Sequence, residues 1–199
     1  MERREILIME YGKKFIILGS ENAISYKEVF RFIKANQIWL GTKPVTDFIK
    51  PNGDISCVNT NWFTNLDHNK RHTRLDLYKK YSNEYYPHYE NYNAIEVGKV
   101  AEIPYDYDGV MGVPISILDK YNPEQFEIVG MCENEDLYGL KTKRYTSQEC
   151  KDAYFAKFGR PGVYDLNARG VIKVNGLLEK KYARILIRNK QVGQKGGAI

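Results

Sequence analysis

Cysteine is scarce in this sequence, and its spacing forms no recognisable site. The three cysteines, Cys57, Cys132 and Cys150, lie far apart, and no Cys-x-x-Cys pair is present. An odd and sparse set argues against a disulfide framework, and the lack of metal-ligand spacing argues against a zinc ribbon. The sparse set instead predicts reduced thiols and a cytoplasmic location.

Long apolar runs and internal repeats are also lacking. The charged start Met-Glu-Arg-Arg-Glu is followed by the short apolar run Ile-Leu-Ile-Met at residues 6–9. This run is too short for the apolar region of a signal peptide and far too short to span a bilayer. We therefore expect a soluble protein.

The composition that remains is that of a folded protein with a mild positive charge. In 199 residues, 43% are apolar and 13% are aromatic, which is enough for one good core or one core with a small appendage. The formal net charge is +5 and the pI is about 8.9. Such a charge suits a polyanionic partner but does not require one, since many soluble proteins carry it.

The first part of the chain predicts a βαβ unit. Residues 14–18 begin with a lysine and continue as an apolar run, which is typical of a strand buried on both faces in a parallel sheet, and residues 38–41 predict a second buried strand. A helix over about 22–36 lies between them, because Tyr26, Val29, Phe30 and Ile33 form one apolar stripe and Asn36 suits its end. Residues 2–11 predict a further short helix, and residues 44–54 a loop. Alternation over 55–66 predicts an antiparallel strand or a hairpin with one wet face.

The rest of the chain predicts a mixed α+β region with several irregular segments. Residues 78–107 hold eight of the 16 tyrosines without periodicity, which indicates an extended segment that wraps over the core. Strands are expected at 110–113 and 126–130, with a short helix from Pro114 to about Tyr121 between them. Residues 133–168 resemble a polar insertion, and 171–174 and 182–187 predict a hairpin around Asn175-Gly176. We divide the chain into 1–75, 76–188 and a flexible tail, 189–199.

An aromatic pair followed by a basic cluster is the strongest functional signal. Trp62 and Phe63 precede a cluster whose cationic and amide side chains are typical of contacts to phosphates and base edges: His68, Asn69, Lys70, Arg71, His72 and Arg74. The alternative is a solvated charged loop. His68 and His72 have helical spacing for a metal pair, but no carboxylate or thiol completes a site, so no metal is predicted.

Several other residues have both a functional and a structural interpretation. Trp62 shares the parity of the apolar residues of its strand and is expected in the core, which leaves Phe63 as the better candidate to stack on a base. Ser20, Glu21 and Asn22 follow a predicted strand, where α/β sheets bind ligands, although helix capping explains Ser20 and Asn22 equally well. Arg184 and its basic neighbours on the last strand extend the predicted phosphate-binding face. Asp106 and Asp108 are better explained as turn formers than as an acid–base pair.

Six segments in order resemble the EcoRI-type adenine-specific DNA methyltransferase family. They cover nearly the whole chain apart from 133–168 and the tail. The segments are residues 13–24 (Lys-Lys-Phe-Ile-Ile-Leu-Gly, then Asn-Ala-Ile), 38–41 (Ile-Trp-Leu-Gly), 61–67 (Asn-Trp-Phe-Thr-Asn-Leu-Asp), 103–114 (Ile-Pro-Tyr-Asp-Tyr-Asp-Gly-Val-Met-Gly-Val-Pro), 126–130 (Phe-Glu-Ile-Val-Gly) and 182–187 (Tyr-Ala-Arg-Ile-Leu-Ile).

The resemblance implies an α/β fold with part of a Rossmann-like methyltransferase sheet, followed by a DNA-recognition region. It also implies S-adenosylmethionine as cofactor, double-stranded DNA as partner, and methyl transfer to N6 of an adenine that is rotated out of the duplex. Phe63, Trp62 and Asn22 would then line the adenine pocket. The setting would be a restriction–modification system.

Two motifs of the family are absent from the sequence. The family has an Asn/Asp-Pro-Pro-Tyr/Phe motif, but the seven prolines here include no Pro-Pro pair, and no glycine-rich loop joins a strand to a helix. We therefore assign no catalytic and no cofactor-binding residue. We expect an N-terminally truncated chain that is inactive alone or needs a separate N-terminal fragment. A non-catalytic DNA-binding module is the alternative. A nuclease, suggested by Glu179-Lys180-Lys181, lacks its remaining carboxylates.

Overall fold

The computed structural model of the protein describes residues 11–192, which form two compact units. The first unit contains the described residues up to Thr73 together with Leu118–Pro123. The second unit contains Arg74–Ile117 and the described residues from Glu124 onward. The sequence predicted one boundary at residue 75. That single boundary does not account for Leu118–Pro123, which lies later in the chain but belongs to the first unit. All but the last residue of the predicted helix 2–11 lies outside the described residues.

Within residues 11–192 the fold is α/β, with several sheets and few helices. The first unit contains β1 (Ile16–Ser20), α1 (Lys27–Lys34), β2 (Trp39–Leu40), β3 (Val45–Ile49) and β4 (Ile55–Thr64). The second contains β5 (Ile95–Glu96), β6 (Met111–Pro114), β7 (Phe126–Met131), α2 (Ser147–Phe158), β8 (Val171–Val174), β9 (Leu177–Lys180) and β10 (Arg184–Asn189). Short 3-10 helices lie at Glu21–Ser25, Asn69–His72, Val100–Glu102, Ile115–Lys120 and Leu166–Ala168.

Strand β4 is the centre of the first unit's sheet. It pairs antiparallel with β1 on one side and with β2 and β3 on the other, so that Phe63 lies opposite both Ile17 and Leu40. Strands β1 and β2 therefore run in the same direction but are not neighbours. The prediction that residues 14–18 form a doubly buried strand of a parallel sheet is wrong, since β1 pairs antiparallel and the side chain of Ile16 is 59% exposed.

The predicted helix over 22–36 is divided into two shorter pieces. A 3-10 turn, Glu21–Ser25, begins where the Ser20 hydroxyl accepts the amide hydrogen of Asn22, and α1 follows after Tyr26, whose backbone is extended. Val29, Phe30 and Ile33 are buried as predicted, but Tyr26 is exposed because it lies at the N-cap rather than in the stripe. The chain leaves α1 at Asn36, whose positive φ of 54° ends the helical path.

The predicted loop 44–54 contains a strand that the sequence analysis missed. Residues Val45–Ile49 form β3, which pairs with β4 around the turn at Pro51–Asp54. The Lys50 amide donates to the Asp54 carbonyl at 2.8 Å, and Gly53 adopts a positive φ of 87°. The turn lies where the sequence predicts it, and the β-branched and aromatic residues Val45, Thr46 and Phe48 before it belong to the strand that the prediction lacks.

The sheet of the second unit has the order β5-β6-β10-β7, with β10 antiparallel to both β6 and β7. Its centre is fully apolar, since Met111, Val113, Ile185, Leu186 and Ile187 are all buried. The predicted hairpin of 171–174 with 182–187 is wrong. The turn at Asn175-Gly176, with φ of 50° and 81°, joins β8 to β9 instead. A two-residue turn pairs the strand before it with the residues that follow it directly, so the partner of β8 is β9. Strand β10 pairs with β6 and β7 in the four-stranded sheet.

The tyrosine-rich segment 78–107 is largely irregular, as predicted, but it contributes to the core rather than only covering it. Tyr86, Tyr89 and Tyr92 are buried, and each hydroxyl has an acceptor. Tyr86 donates to the Glu102 carbonyl at 2.6 Å, Tyr92 to the Glu133 carbonyl at 3.1 Å, and Tyr89 to the carboxylate of Glu96. Buried rings with bonded hydroxyls hold this segment in place without regular structure.

The predicted insertion 133–168 contains a well-formed helix. The Thr146 side chain accepts the amide hydrogen of Glu149, the Glu149 carboxylate accepts that of Thr146, and α2 ends at the left-handed Gly159. This capping box was visible in the sequence as Thr-x-x-Glu.

The predicted boundary of the tail at residue 189 is wrong, because Asn189 is buried in β10 and donates to the carbonyls of Pro104 and Tyr107. Residues 193–199 lie outside the described residues. None of the helices described is long and apolar enough to cross a membrane.

Candidate nucleic-acid interface

The aromatic pair on β4 has the opposite orientation to the one predicted. Phe63 is 0% exposed and belongs to the core, whereas Trp62 is partly exposed. The buried face of β4 is the one that carries Asn61 and Phe63, so the parity inferred from Val58 was misleading. Phe63 therefore cannot present a ring face to a base, and Trp62 is the accessible aromatic of the pair.

Trp62 lines an open groove of about 480 Å³ in the first unit. The groove has an apolar floor and a polar end, and its lining is Ile16, Gly41, Thr42, Trp62, Thr64, Leu66, Asp67 and His68. Gly41 is favoured here, because a Cβ atom would lie 2.8 Å from the Cβ of Trp62. Its amide donates to the Trp62 carbonyl at 2.8 Å. The groove thus joins the predicted aromatic site to the start of the basic cluster.

Arg71 is the centre of the basic cluster, and it faces inward. Its guanidinium carbon lies 3.4 Å from the centroid of the Trp39 ring. Nη1 donates to Asp67 at 3.1 Å and Nη2 to the Asn36 side chain at 2.6 Å, which leaves Arg71 only 8% exposed. A buried arginine with a stacked ring and two acceptors stabilises the local fold, so we remove Arg71 from the predicted DNA contacts.

Other side chains of the cluster are also bonded within the first unit. His68 Nε2 lies 2.9 Å from the Leu40 carbonyl oxygen, and Lys70 Nζ donates to the Thr42 carbonyl at 3.3 Å. His72 Nε2 lies 2.9 Å from both carboxylate oxygens of Asp67, and this hydrogen bond lowers the pKa of Asp67 below its usual value. Asp67 therefore organises the cluster, since it binds both Arg71 and His72.

The exposed members of the cluster are Asn69, His72 and Arg74. Asn22 is exposed as well, next to the Ser20 cap at the end of β1.

Arg184 is not exposed. It donates from Nε to Glu96 Oε1 at 3.0 Å and from Nη2 at 2.6 Å, and the Tyr89 hydroxyl donates to the same carboxylate. Arg184 is a buried partner of Glu96, so its prediction as a phosphate contact is wrong. In the part of the chain that the structure describes, no group of three His, Cys, Asp or Glu residues is arranged to bind a metal ion.

The three thiols are expected to differ sharply in reactivity. Cys57 is exposed, and its hydrogen bond to Asp47 raises its pKa, while burial raises the pKa of Cys132 to about 12 and Cys150 is buried. Because the thiolate is the reactive form, titration of the native protein with Ellman's reagent should modify only Cys57 quickly, at a rate that rises with pH above 8. The variant Cys57→Ser should remove this fast phase, and a fast phase that persists would contradict the assignment.

Comparison with known proteins identifies the family of the chain. The family model described as adenine-specific methyltransferase EcoRI matches residues 4–54 and 48–190, which is nearly the whole chain. The chain belongs to this family. The resemblance inferred from the six sequence segments is thereby confirmed.

Relatives of this methyltransferase-family chain are named as type II methyltransferases. It is 47% identical to M.EcoRI of Escherichia coli over 143 residues, which are 61% of this chain and 44% of that protein. It is 30% identical to M.MpnI of Mycoplasma pneumoniae over 93% of this chain, and 29% identical to M.MgeORF184P of Mycoplasma genitalium over 94%. The matches span 59% and 60% of those two proteins, so the chain corresponds to part of the length of its relatives. No solved structure matches the chain.

Proposed function

We propose that the chain is the C-terminal portion of an adenine-N6 DNA methyltransferase of a cytoplasmic restriction–modification system. The observation that carries this proposal is the family match over residues 4–190, together with relatives named as type II methyltransferases. In the complete enzyme, the methyl group of S-adenosylmethionine would be transferred to N6 of an adenine turned out of the duplex.

The first unit is proposed to be part of a Rossmann-like methyltransferase sheet. Strands β1 and β2 run in the same direction and α1 connects them, which is the connection of a βαβ unit. Strand β4 lies between them and runs the other way. The sheet would continue from the free side of β1, whose pairing among the described residues is with β4 alone.

The groove beside Trp62 is the proposed place where an extruded base is held. Trp62 offers a partly exposed ring above an apolar floor, and His68 and Asp67 offer polar atoms at its end. Asn22 remains a candidate at the end of β1. Asn69, His72 and Arg74 are proposed to contact DNA, with Lys70 and His68 behind them, because these side chains combine exposure with cationic or amide groups.

The described residues do not fit S-adenosylmethionine. The junction between β1 and the 3-10 turn is Gly19–Ser20, where the Ser20 side chain already caps Asn22, and no glycine-rich loop is present there. The acceptor motif with two adjacent prolines is also absent from the sequence. We therefore propose that the chain binds DNA but neither binds the cofactor nor methylates alone, and that a separate N-terminal fragment would supply both. A non-catalytic DNA-binding module is the second candidate, favoured by the same absent motif.

Calorimetry with S-adenosylmethionine and fluorescence anisotropy with a labelled duplex would test this proposal. We expect no cofactor binding, and DNA binding that weakens by at least about tenfold between 50 and 200 mM salt, as two phosphate contacts require. Asn69→Glu should weaken binding, since it adds a negative charge to the exposed cluster. Asn59→Glu, on the exposed part of β4, makes the same change elsewhere and should have a smaller effect.

The outcomes separate the two candidates. Recovery of methyl transfer when the missing N-terminal part of a relative is added would support the methyltransferase fragment. Cofactor binding by the chain alone would contradict our assignment of no cofactor site. Absence of DNA binding at low salt would overturn both candidates.

A further inference from the structure

A second concentration of positive charge lies in the second unit, in a region for which the sequence analysis assigned no role. Residues 141–160 contain six Lys or Arg residues and two carboxylates, a net formal charge of +4, whereas the whole chain has +5. Both carboxylates are engaged, because Glu149 caps α2 and pairs with Lys143 at 3.2 Å, and Asp152 accepts from Gln148 at 2.8 Å. The positive charge of this region is therefore not balanced locally.

Among the described residues, five of the six cations have no carboxylate within ion-pair distance. Lys141 donates to the carbonyls of Asn134 and Asn167, and Arg144 donates to the carbonyl of Glu135. Lys151, Lys157 and Arg160 are exposed instead, and no ion pair is formed by them within the described ranges. They follow one another along α2 and the turn after it.

Aromatic rings lie between these cations. Tyr154 and Phe158 have ring centroids 4.6 Å apart, and Phe158 and Tyr164 lie 6.1 Å apart. The ammonium group of Lys157 is 5.5 Å from the Tyr164 ring centroid, and that of Lys180 on β9 is 5.3 Å from it. Two ammonium groups thus converge on one partly exposed ring that is fixed by its hydroxyl, which accepts the Lys180 amide at 2.9 Å.

An open apolar groove continues this surface. It has a volume of about 460 Å³, and Phe155 and Val163 in its lining are 57% and 65% exposed. The loop that contains Gly162 sits directly on α2, since a Cβ atom on Gly162 would lie 2.3 Å from the Tyr154 ring. Protein surfaces that bind nucleic acids combine cations with exposed aromatic rings. The cations contact phosphates, and the rings contact sugars or bases.

We propose that α2, together with Tyr164 and Lys180, forms a second DNA-contacting surface. Lys151, Lys157, Arg160 and Lys180 contact phosphates, and Phe155 and Phe158 lie against the sugar–base edge. A duplex is favoured over a protein partner by charge complementarity, since Lys151, Lys157 and Arg160 are exposed and form no ion pair within the described residues. Asp152 is the one carboxylate that lines the groove, and it accepts a hydrogen bond from Gln148. The inference deepens the proposed function and rests on it.

The test is the salt dependence of binding to a fluorescein-labelled duplex of mixed sequence. Each lost phosphate contact reduces the slope of log K against log salt by about 0.9, which corresponds to roughly eightfold in affinity near 0.1 M salt. The triple variant Lys151→Gln, Lys157→Gln, Arg160→Gln should therefore bind at least about tenfold more weakly and with a smaller slope. The control triple variant Lys50→Gln, Lys80→Gln, Lys120→Gln has the same charge change at exposed sites elsewhere and should retain most of the slope.

The outcomes distinguish this inference from the proposed function. Equal affinity and slope for the two triple variants would overturn the second surface and leave DNA binding by the chain intact. Failure of the wild-type chain to bind DNA would overturn both. Light scattering provides a further outcome: if the wild type is a dimer that Phe155→Ser dissociates, while the lysine and arginine variants bind DNA normally, the surface is a protein interface and the inference is wrong.

Discussion

Replacement of Arg184 with methionine is expected to destabilise the protein by about 3 to 5 kcal/mol. The methionine would fill much of the volume but would leave the Glu96 carboxylate buried, with two arginine donor groups lost. An isolated buried carboxylate either stays charged at high cost or takes up a proton, and both lower the free energy of unfolding. Urea unfolding followed by circular dichroism measures the loss.

Arg188→Met is the matched control for this change. Arg188 lies on the same strand and is 3.6 Å from Glu127, but both side chains of that pair are about half exposed. An exposed pair contributes little, so this variant should stay within about 1 kcal/mol of the wild type. The double variant Arg184→Met, Glu96→Leu should recover part of the loss. Equal effects of Arg184→Met and Arg188→Met would show that the Glu96 pair is not buried.

Phe63→Ala is expected to cost about 3 to 5 kcal/mol, because it removes a fully buried ring at the centre of the first unit's sheet. The ring belongs to a residue of β4 that is paired with both β1 and β2, so the cavity cannot close without moving strands on two sides. The free energy of unfolding in urea is the quantity to compare. Val58→Ala, at an exposed position of the same strand, should change it by less than about 0.5 kcal/mol.

The comparison of Phe63 with Val58 also decides between the two interpretations of the aromatic pair. A base-stacking residue at the surface is removed with a small effect on stability and a large effect on DNA binding. If Phe63→Ala were as mild as Val58→Ala, the original prediction of an accessible Phe63 would be restored. Trp62 would then return to the core.

Local patterns predicted the local structure well. The stripe Val29, Phe30 and Ile33, the end of the helix at Asn36 and the turn at Asn175-Gly176 all lie where the sequence placed them. Each of these depends on residues a few positions apart. The errors concern partners: which strand follows the Asn175 turn, and which strand lies beside β1. The strand beside β1 depends on contacts between distant segments, which periodicity does not contain. The strand after the Asn175 turn is a local choice, because residues 177–180 follow the turn directly and form β9.

The same limit applies to the basic cluster. Composition alone indicated a cationic surface over 68–74. The acceptors that hold Arg71 and His68 in place, Asn36 and the Leu40 carbonyl, are 35 and 28 residues earlier in the chain. The stacking ring of Trp39 is equally distant in sequence. The inward orientation of Arg71 could therefore not be seen from the cluster itself.

Both tryptophans of the protein lie in the first unit, one beneath the Arg71 guanidinium and one at the edge of the open groove. Fluorescence excited at a wavelength that only indole absorbs therefore comes from that unit alone, although tyrosines occur throughout the chain. Trp39 is held close to a cation and Trp62 is partly in contact with water, so the two rings experience different surroundings. Tryptophan fluorescence of this protein is consequently sensitive to changes at the groove and at the buried arginine. It does not depend on tryptophans in the tyrosine-rich second unit, because that unit has none.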